Sequence, residues 1–349
     1  MNKIVVYGLG SAGKRIISQI LKSKLKISAI IDNNYKENSY KNIPVINVGK
    51  LNLLKNKKEI SCLLAFHNHY LDIKKIAYEL KKYSFKKIYT LVNAKKLLSK
   101  INPTIGYWLD LDFKLNHDEF KNTKNLFQDN KSKKLLNQIY KYRKYGNIDD
   151  IPIPSTDDEY VPKDLPRYKM PLRIIDCGAF NGCTIRKIKS SYDDIQSILA
   201  FEPDINNYKK LVKVKLNKTK LTFLPLGLWS KPTTLKFENN ADMSSKISIS
   251  GKNIISLIKY DDAFSSYIPN LIKMDIEGAE YNALLGMKKT IFKHKPNLCI
   301  SVYHKPDDII KIPNLIKSWD LNYKFYLRVH EYNTFGVVIY CLQDEKIIL

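Results

Sequence analysis

The sequence predicts an α/β protein built on two Rossmann-like sheets, a smaller one first and a seven-stranded one after it. Three observations carry that expectation. Short apolar runs alternate with amphipathic helical stripes along most of the 349 residues. Two glycine-bearing loops, Gly8-Leu9-Gly10-Ser11-Ala12-Gly13 and Asp176-Cys177-Gly178-Ala179-Phe180-Asn181-Gly182, each stand between such a run and a helix. After each loop the next strand closes on an acid, Asp32 in the first case and Glu202 in the second. In open α/β sheets ligands lie beyond the carboxyl ends of the strands, so both loops mark candidate crevices.

Composition bounds the rest. With 44% apolar residues the chain can build sizeable cores, and its length suits two domains. It has no apolar run of about 18 residues, so no membrane span is expected. The apolar stretch after Met1 is too short for a secretion signal and leads into a glycine loop. A cytoplasmic location is expected, with peripheral contact at the inner face of the inner membrane left open. Five cysteines (62, 177, 183, 299 and 341) form no C-x-x-C pair, which fits a reducing compartment. Cys177 and Cys183 flank the second loop and read as small half-buried residues rather than a disulfide. The formal charge of +25 points to anionic partners or to a lysine-rich composition, and the lysines are spread rather than clustered. Oligomeric state has no signature in the sequence.

The first domain is read as residues 1–98. Residues 3–8 form a buried strand, and Gly8, Gly10 and Gly13 make a G-x-G-x-x-G loop. A helix follows, with Ile16, Ile17, Ile20 and Leu21 on one face. A strand over 27–31 ends at Asp32, 19 residues after Gly13, about where a ribose-binding carboxylate is expected. Strands at 60–66 and 87–91 bracket a helix over 70–83. This loop resembles that of the N-terminal domain of bacterial sugar acetyltransferases, in which the equivalent loop and acid contact a nucleotide-sugar. The resemblance implies a substrate or nucleotide site at Gly8, Gly10, Gly13 and Asp32. His67 and His69 follow a strand without a partner cluster and read as part of a polar loop rather than a metal site.

Residues 99–170 read as a helical, proline-rich connector. Leu135, Leu136, Ile139 and Tyr140 form a helical stripe, and five prolines between 152 and 171 then break regular structure. The run Asp157-Asp158-Glu159-Tyr160-Val161-Pro162 is either a cover over the next crevice or a surface loop.

Over 171–349 seven strands are expected, at 173–176, 197–202, 221–226, 271–275, 297–304, 324–330 and 336–342, with helices after the first, second, fourth and fifth. The last two are joined by a short turn and should pair antiparallel. A final antiparallel hairpin on a seven-stranded, mostly parallel sheet is the pattern of class I S-adenosylmethionine methyltransferases. The acids suit that donor. Asp176 ends the first strand, where a pyrophosphate would be repelled but the ammonium of S-adenosylmethionine would be received. Glu202 ends the second strand, where a carboxylate can accept both ribose hydroxyls. Gly178, Ala179, Asn181, Gly182, Pro203, Leu226 and Asp275 complete the expected donor-binding set. Gly227–Ser230 and Met243–Ser245 either line the adenine side or acceptor mouth or serve as core and loop.

The fourth strand runs into Lys273-Met274-Asp275-Ile276-Glu277-Gly278-Ala279-Glu280. With DCGAFNG and FEP before it, and Lys295-Pro296-Asn297-Leu298 and Ser301-Val302-Tyr303-His304-Lys305 after it, the stretch 172–342 resembles the FkbM family of methyltransferases. LFQDNKSKKLL and DDEYVP in the connector are also similar to longer members. The resemblance implies methylation of a hydroxyl group, on a sugar of bacterial surface polysaccharide or glycolipid, with a sugar, nucleotide-sugar or glycolipid acceptor. Asp275 and His304, at the ends of adjacent strands, are the candidate catalytic pair, with Glu277 as a third group. Either one takes the hydroxyl proton, or Asp275 helps to hold a divalent cation such as Mg that polarises the hydroxyl. Glu277 and Glu280 could instead anchor the following helix.

Two other readings compete. A nucleic-acid methyltransferase is favoured only by charge. Amino-group methylation of bases usually needs an Asp/Asn-Pro-Pro-Tyr/Phe type motif, whereas the chain has Asp275-Ile276-Glu277-Gly278 there, and it lacks a concentrated basic stripe with interleaved aromatics. An NAD-binding oxidoreductase-like domain fused to a methyltransferase is the other, and no Ser/Tyr/Lys set stands beside the first loop.

Overall fold

A computed structural model describes residues 3–97, 107–109, 117–238, 246–247 and 253–348. The chain divides into two compact units. The first takes in Met1–Lys114, Lys134–Pro154 and Glu331–Phe335, the second Leu115–Lys133, Ser155–His330 and Gly336–Leu349. Helix Asn130–Tyr145 is shared between them. Residues 134–154 and 331–335, set in the connector and the last domain by sequence, thus fold with the first unit.

The first unit holds β1 (Lys3–Tyr7), β2 (Lys26–Ile31), β3 (Ser39–Tyr40), β4 (Ile43–Ile46), β5 (Ile60–Leu64) and β6 (Lys87–Tyr89), in the order β3-β4-β2-β1-β5-β6. The short β3 and β4 are additions to the expected strands. Val5 and Val6 of β1 and all of β5 are buried, as parallel strands covered on both faces are, and β5 is apolar but for Ser61. Helix Ser11–Ile20 buries Ile16, Ile17 and Ile20 of the predicted stripe, whereas Leu21, at its C-cap, is exposed. Helix Ile73–Lys81 starts at Asp72, whose side chain accepts the Lys75 N–H at 2.8 Å.

The second unit begins with β7 (Arg167–Tyr168) and β8 (Leu172–Cys177), followed by β9 (Ile195–Phe201), β10 (Lys220–Leu224), β11 (Gly227–Leu228), β12 (Thr233–Glu238), β13 (Lys246–Ile247), β14 (Asn253–Ile258), β15 (Leu271–Met274), β16 (Asn297–Ser301), β17 (Lys324–Val329), β18 (Val337–Leu342) and β19 (Ile347–Ile348). Its main sheet runs β10-β9-β8-β15-β16-β18-β17, parallel but for β18, which is antiparallel to both neighbours. That is the expected seven-stranded sheet with a terminal hairpin. Helices follow β8 (Cys183–Ser191), β9 (Ile205–Leu211), β15 (Glu280–Gly286, Lys288–His294) and β16 (Asp308–Lys317). After β10 there is instead a small sheet, β11-β14-β12-β13, which the sequence reading did not foresee. Met243–Ser245 lie outside the described residues.

The connector contributes to this unit by burying charge. Arg328 on β17 is 1% exposed. Asp129 Oδ2 is 2.7 Å from its Nη2, Asp164 Oδ2 is 2.9 Å from its Nε, and Ser132 Oγ is 3.0 Å from its Nη1. Asp129 and Ser132 belong to the LFQDNKSKKLL run, whose polar residues thereby satisfy a guanidinium that would be costly to bury unpaired.

Candidate active site

β8 and β9 stay paired as far as Cys177 and Phe201, and the second glycine loop follows at their carboxyl ends. Gly178 sits at φ 81°, and a Cβ there would lie 1.9 Å from the Asp275 carbonyl oxygen, so only glycine fits. The N–H groups of Gly178 and Ala179 both donate to the Phe201 carbonyl, at 2.9 and 3.0 Å. Asn181 Oδ1 accepts the Cys183 N–H at 3.1 Å and so pins the loop to the helix start. Gly182, at φ 79°, caps that helix. The loop is also tied to Glu202: the Phe180 N–H donates to Oε2 at 2.8 Å and the Asp204 N–H to Oε1 at 2.9 Å. Each oxygen keeps a lone pair for a ribose hydroxyl. Burial raises the Glu202 carboxyl to about 7. Pro203 packs near Gly227, and Leu226 is half-buried past the end of β10.

Asp176 is placed differently from the sequence expectation. It is fully buried, and its Oδ1 lies 3.0 Å from Lys273 Nζ. The two residues are register partners on β8 and β15. Lys273 also donates to the Gly178 carbonyl at 2.6 Å, from beneath the loop. Burial pushes the Asp176 carboxyl up, and Lys273 pulls it back only in part. Burial of Lys273 works against its charge, yet Asp176 and Asp275 keep it protonated. The carboxylate expected to meet an ammonium from solution is committed to a lysine of the neighbouring strand. Sequence reasoning passed over Lys273, though a lysine inside the buried run Leu271–Met274 needed a partner.

Beyond β15 and β16 a second group of charges converges. Asp275 Oδ2 accepts the Tyr160 hydroxyl at 3.0 Å, and its Oδ1 lies 3.4 Å from His304 Nε2. Glu277 Oε2 is 3.6 Å from the same nitrogen. On the other side of the ring, Nδ1 is 2.9 Å from Glu280 Oε1, which also accepts the Ile276 N–H at 2.8 Å. Glu280 thus anchors the turn and orients His304. Glu277 at φ 57° and Gly278 at φ 92° make that turn, and Lys305 Nζ holds the Gly278 carbonyl. Burial alone would keep the His304 ring neutral. Glu280, Glu277 and Asp275 outweigh it and lift its pKa to about 10. Burial would raise Glu280, but His304 holds it low. The surrounding carboxylates thus favour the protonated ring, which donates from both nitrogens.

Tyr160, from the connector, completes the cluster. Its hydroxyl also lies 3.2 Å from Ser301 Oγ, and its backbone, at φ 70°, is fixed by Tyr340 and Tyr168. The DDEYVP run therefore packs over this crevice.

The first unit's loop has related geometry. Gly8 sits at φ 105°, and a Cβ on Gly13 would meet the Gly8 carbonyl at 2.0 Å, whereas one on Gly10 would meet nothing within 4 Å. Asp32 accepts N–H groups from Leu9, Asn34 and Tyr35 at 2.7, 2.9 and 3.0 Å. His67 is not in a polar loop. It is buried, with ring centroids of Trp108 and Phe335 at 5.2 and 5.1 Å, and burial lowers its pKa to about 3.

The sheet order, the loop at its centre and the acid on the neighbouring strand define a class I S-adenosylmethionine-dependent methyltransferase. Residues 176–325 match the Methyltransferase FkbM domain, so the second unit carries a methyltransferase domain of the FkbM family. Among solved structures, the methyltransferase FkbM from Methylobacillus flagellatus KT is similar at 20% identity and a TM-score of 0.76. That likeness covers 98% of this chain and 90% of that one, so the fold extends over both units. A fibrillarin/Nop5p complex is similar at 14% identity over 49% of this chain and 72% of that one, with a TM-score of 0.29 too low to carry argument. No curated protein matches the chain.

Proposed function

We propose that the protein methylates a hydroxyl group of a sugar, in the assembly of bacterial surface polysaccharide or glycolipid. The observation that carries the chemistry is the chain Glu280–His304–Asp275 beside the donor loop. In that reading the acceptor oxygen attacks the methyl carbon of the sulfonium. The carbon–sulfur bond breaks, S-adenosylhomocysteine leaves, and the hydroxyl proton passes to the Asp275 carboxylate. His304, on which Glu280 favours the charged ring, lies beside Asp275 and orients it. General-base help of this kind contributes about 10²–10⁴-fold, and in-line alignment can supply about 7–11 kcal/mol more.

A divalent cation is the other arrangement that an observation favours, because Asp275, Glu280 and His304 offer ligand atoms within 4.8 Å of one another. Such an ion would polarise the hydroxyl. The first unit is read as receiving an anionic, nucleotide-linked part of the acceptor at Gly8, Gly10, Gly13 and Asp32, supported by the open space above Gly10. The charge of +25 suits such a carrier. Among the described residues no helix is long and apolar enough to cross a membrane. Work at the cytoplasmic face on a soluble or membrane-held acceptor accords with this reading.

The test is incubation with methyl-labelled S-adenosylmethionine and cell-envelope precursors, with and without EDTA. Label on a sugar oxygen, retained in EDTA, supports the proton-acceptor arrangement. Loss in EDTA with recovery on adding Mg supports the cation. Label on nucleic acid, or on nitrogen, would overturn the proposal.

A further inference from the structure

Tyr160 is a bulky residue held in the left-handed backbone region, at φ 70°. Such a residue is strained there and stays only where its surroundings over-determine it. They do so on both sides of its backbone. The N–H donates to the Tyr340 hydroxyl at 3.1 Å, and the carbonyl accepts the Tyr168 hydroxyl at 2.6 Å. Both of those hydroxyls are held in turn, that of Tyr340 by His330 Nε2 at 2.8 Å and that of Tyr168 by Cys299 Sγ at 3.0 Å. The Tyr160 ring is buried, with Lys273 Nζ 5.4 Å from its centroid. So firm a setting delivers one polar atom, the hydroxyl, to a carboxylate 115 residues further along the chain.

We infer that Tyr160 is a positioning residue, whose hydroxyl holds Oδ2 of Asp275 and leaves Oδ1 as the oxygen that works on the acceptor. The direction of the hydrogen bonds follows from the proton count. A phenol has one proton, and an ionised carboxylate only accepts. Tyr160 therefore donates to Asp275 Oδ2 at 3.0 Å, and Ser301 Oγ, 3.2 Å away, donates to the Tyr160 oxygen. Ser301 is fully buried at the end of β16, so a chain of two hydroxyls runs from the sheet to the carboxylate, each polarising the next. The backbone of Asp275 is already fixed, since its N–H donates to the Cys177 carbonyl at 3.0 Å. Its carboxyl group keeps one broad torsion. Tyr160 on Oδ2 and His304 Nε2, 3.4 Å from Oδ1, remove that freedom. A fixed Oδ1 serves equally to accept a proton or to hold an ion, so the role of Tyr160 is the same in both arrangements.

Tyr160 has this role only if Asp275 is the acceptor-side carboxylate of the proposed reaction, and the experiment separates the two readings. Tyr160→Phe keeps the ring and removes only the hydroxyl. The full-length wild type, Tyr160→Phe, Asp275→Asn and the double variant are compared. Single-turnover transfer from methyl-labelled S-adenosylmethionine to cell-envelope precursors gives the rate, and calorimetry gives S-adenosylhomocysteine affinity. Tyr160→Phe should slow transfer by about 10- to 100-fold, the cost of a loosened reacting group, with affinity kept within about threefold. Retained affinity also shows that the variant is folded. In the Asp275→Asn background the same change should slow transfer by less than about twofold, because its route runs through the missing carboxylate. A role in packing alone would slow both backgrounds alike. Unchanged transfer in Tyr160→Phe, equal slowing in both backgrounds, or loss of S-adenosylhomocysteine binding overturns the inference while the reading of Asp275 stands. An Asp275→Asn chain as fast as the wild type, or a wild type that transfers no label, overturns both.

Discussion

The two glycine loops share a backbone plan and differ in what surrounds it. In each, a positive-φ glycine follows the first strand of its sheet, and a loop N–H donates to the acid at the end of the next strand. The pairs are Leu9 with Asp32 at 2.7 Å and Phe180 with Glu202 at 2.8 Å. The difference lies on the strand at the loop's other side. In the second unit a Cβ on Gly178 would strike the Asp275 carbonyl, and Asp275 brings His304, Glu280 and Tyr160 with it. In the first unit a Cβ on Gly8 would come within 2.8 Å of the Phe66 ring, and His67 beyond it is buried among aromatic rings. A glycine loop therefore specifies a close approach of backbone, while the neighbouring strand end decides what chemistry is available.

The largest expected effect follows from that difference. Asp275→Asn should lower kcat by about 10²–10⁴-fold, with S-adenosylhomocysteine affinity kept within about threefold. Single-turnover kinetics and calorimetry measure the two. An unaltered kcat would remove the chemical distinction between the loops. Next come the two loop-side acids. Glu202→Ala should weaken S-adenosylhomocysteine by about 10- to 100-fold, whereas Asp32→Ala should leave that affinity unchanged. If Asp32→Ala had the larger effect, the donor would belong to the first unit.

A smaller effect concerns pH. Burial raises Glu202 to about 7 from an ordinary value of 4.5. A folded pKa above the unfolded one means that the folded chain holds the proton more tightly. The stability contributed by this group is complete below about pH 4.5 and is lost as the pH climbs towards 7. Ribose hydroxyls donate to the ionised form, so donor binding should release a proton. S-adenosylhomocysteine affinity should then rise with pH between 6 and 8, by at most about tenfold per unit, and the profile should flatten in Glu202→Gln. Identical profiles for the two proteins would mean that Glu202 does not titrate on binding.

What the sequence made legible follows from periodicity and from strand ends. The strands of the main sheet, its closing hairpin and the helices between them show as apolar runs and stripes. Asp275 and His304 could be matched because adjacent parallel strands end side by side, and the structure puts them 3.4 Å apart. Lys273 opposite Asp176 was not legible, since it requires the register between strands about a hundred residues apart in sequence. The sheet β11-β14-β12-β13 was missed because two of its strands have only two residues. Tyr160 sits among prolines, where no period exists to place a side chain.

The smallest expected effect tests whether the first loop is a site at all. A methyl group on Gly10 would meet nothing within 4 Å, and Gly10 has no positive φ, so Gly10→Ala is expected to change folding stability by less than about 0.5 kcal/mol. It should leave S-adenosylhomocysteine affinity unchanged, because the donor is proposed to bind in the other unit. A nucleotide-linked acceptor is different, since its phosphates would approach the loop where Gly10 leaves room, beside the helix that begins at Ser11. Gly10→Ala should then raise the KM for a nucleotide-sugar acceptor several-fold with kcat and melting temperature held. If KM does not move, the glycines of the first loop serve the packing of helix on strand, and the acceptor is recognised without them.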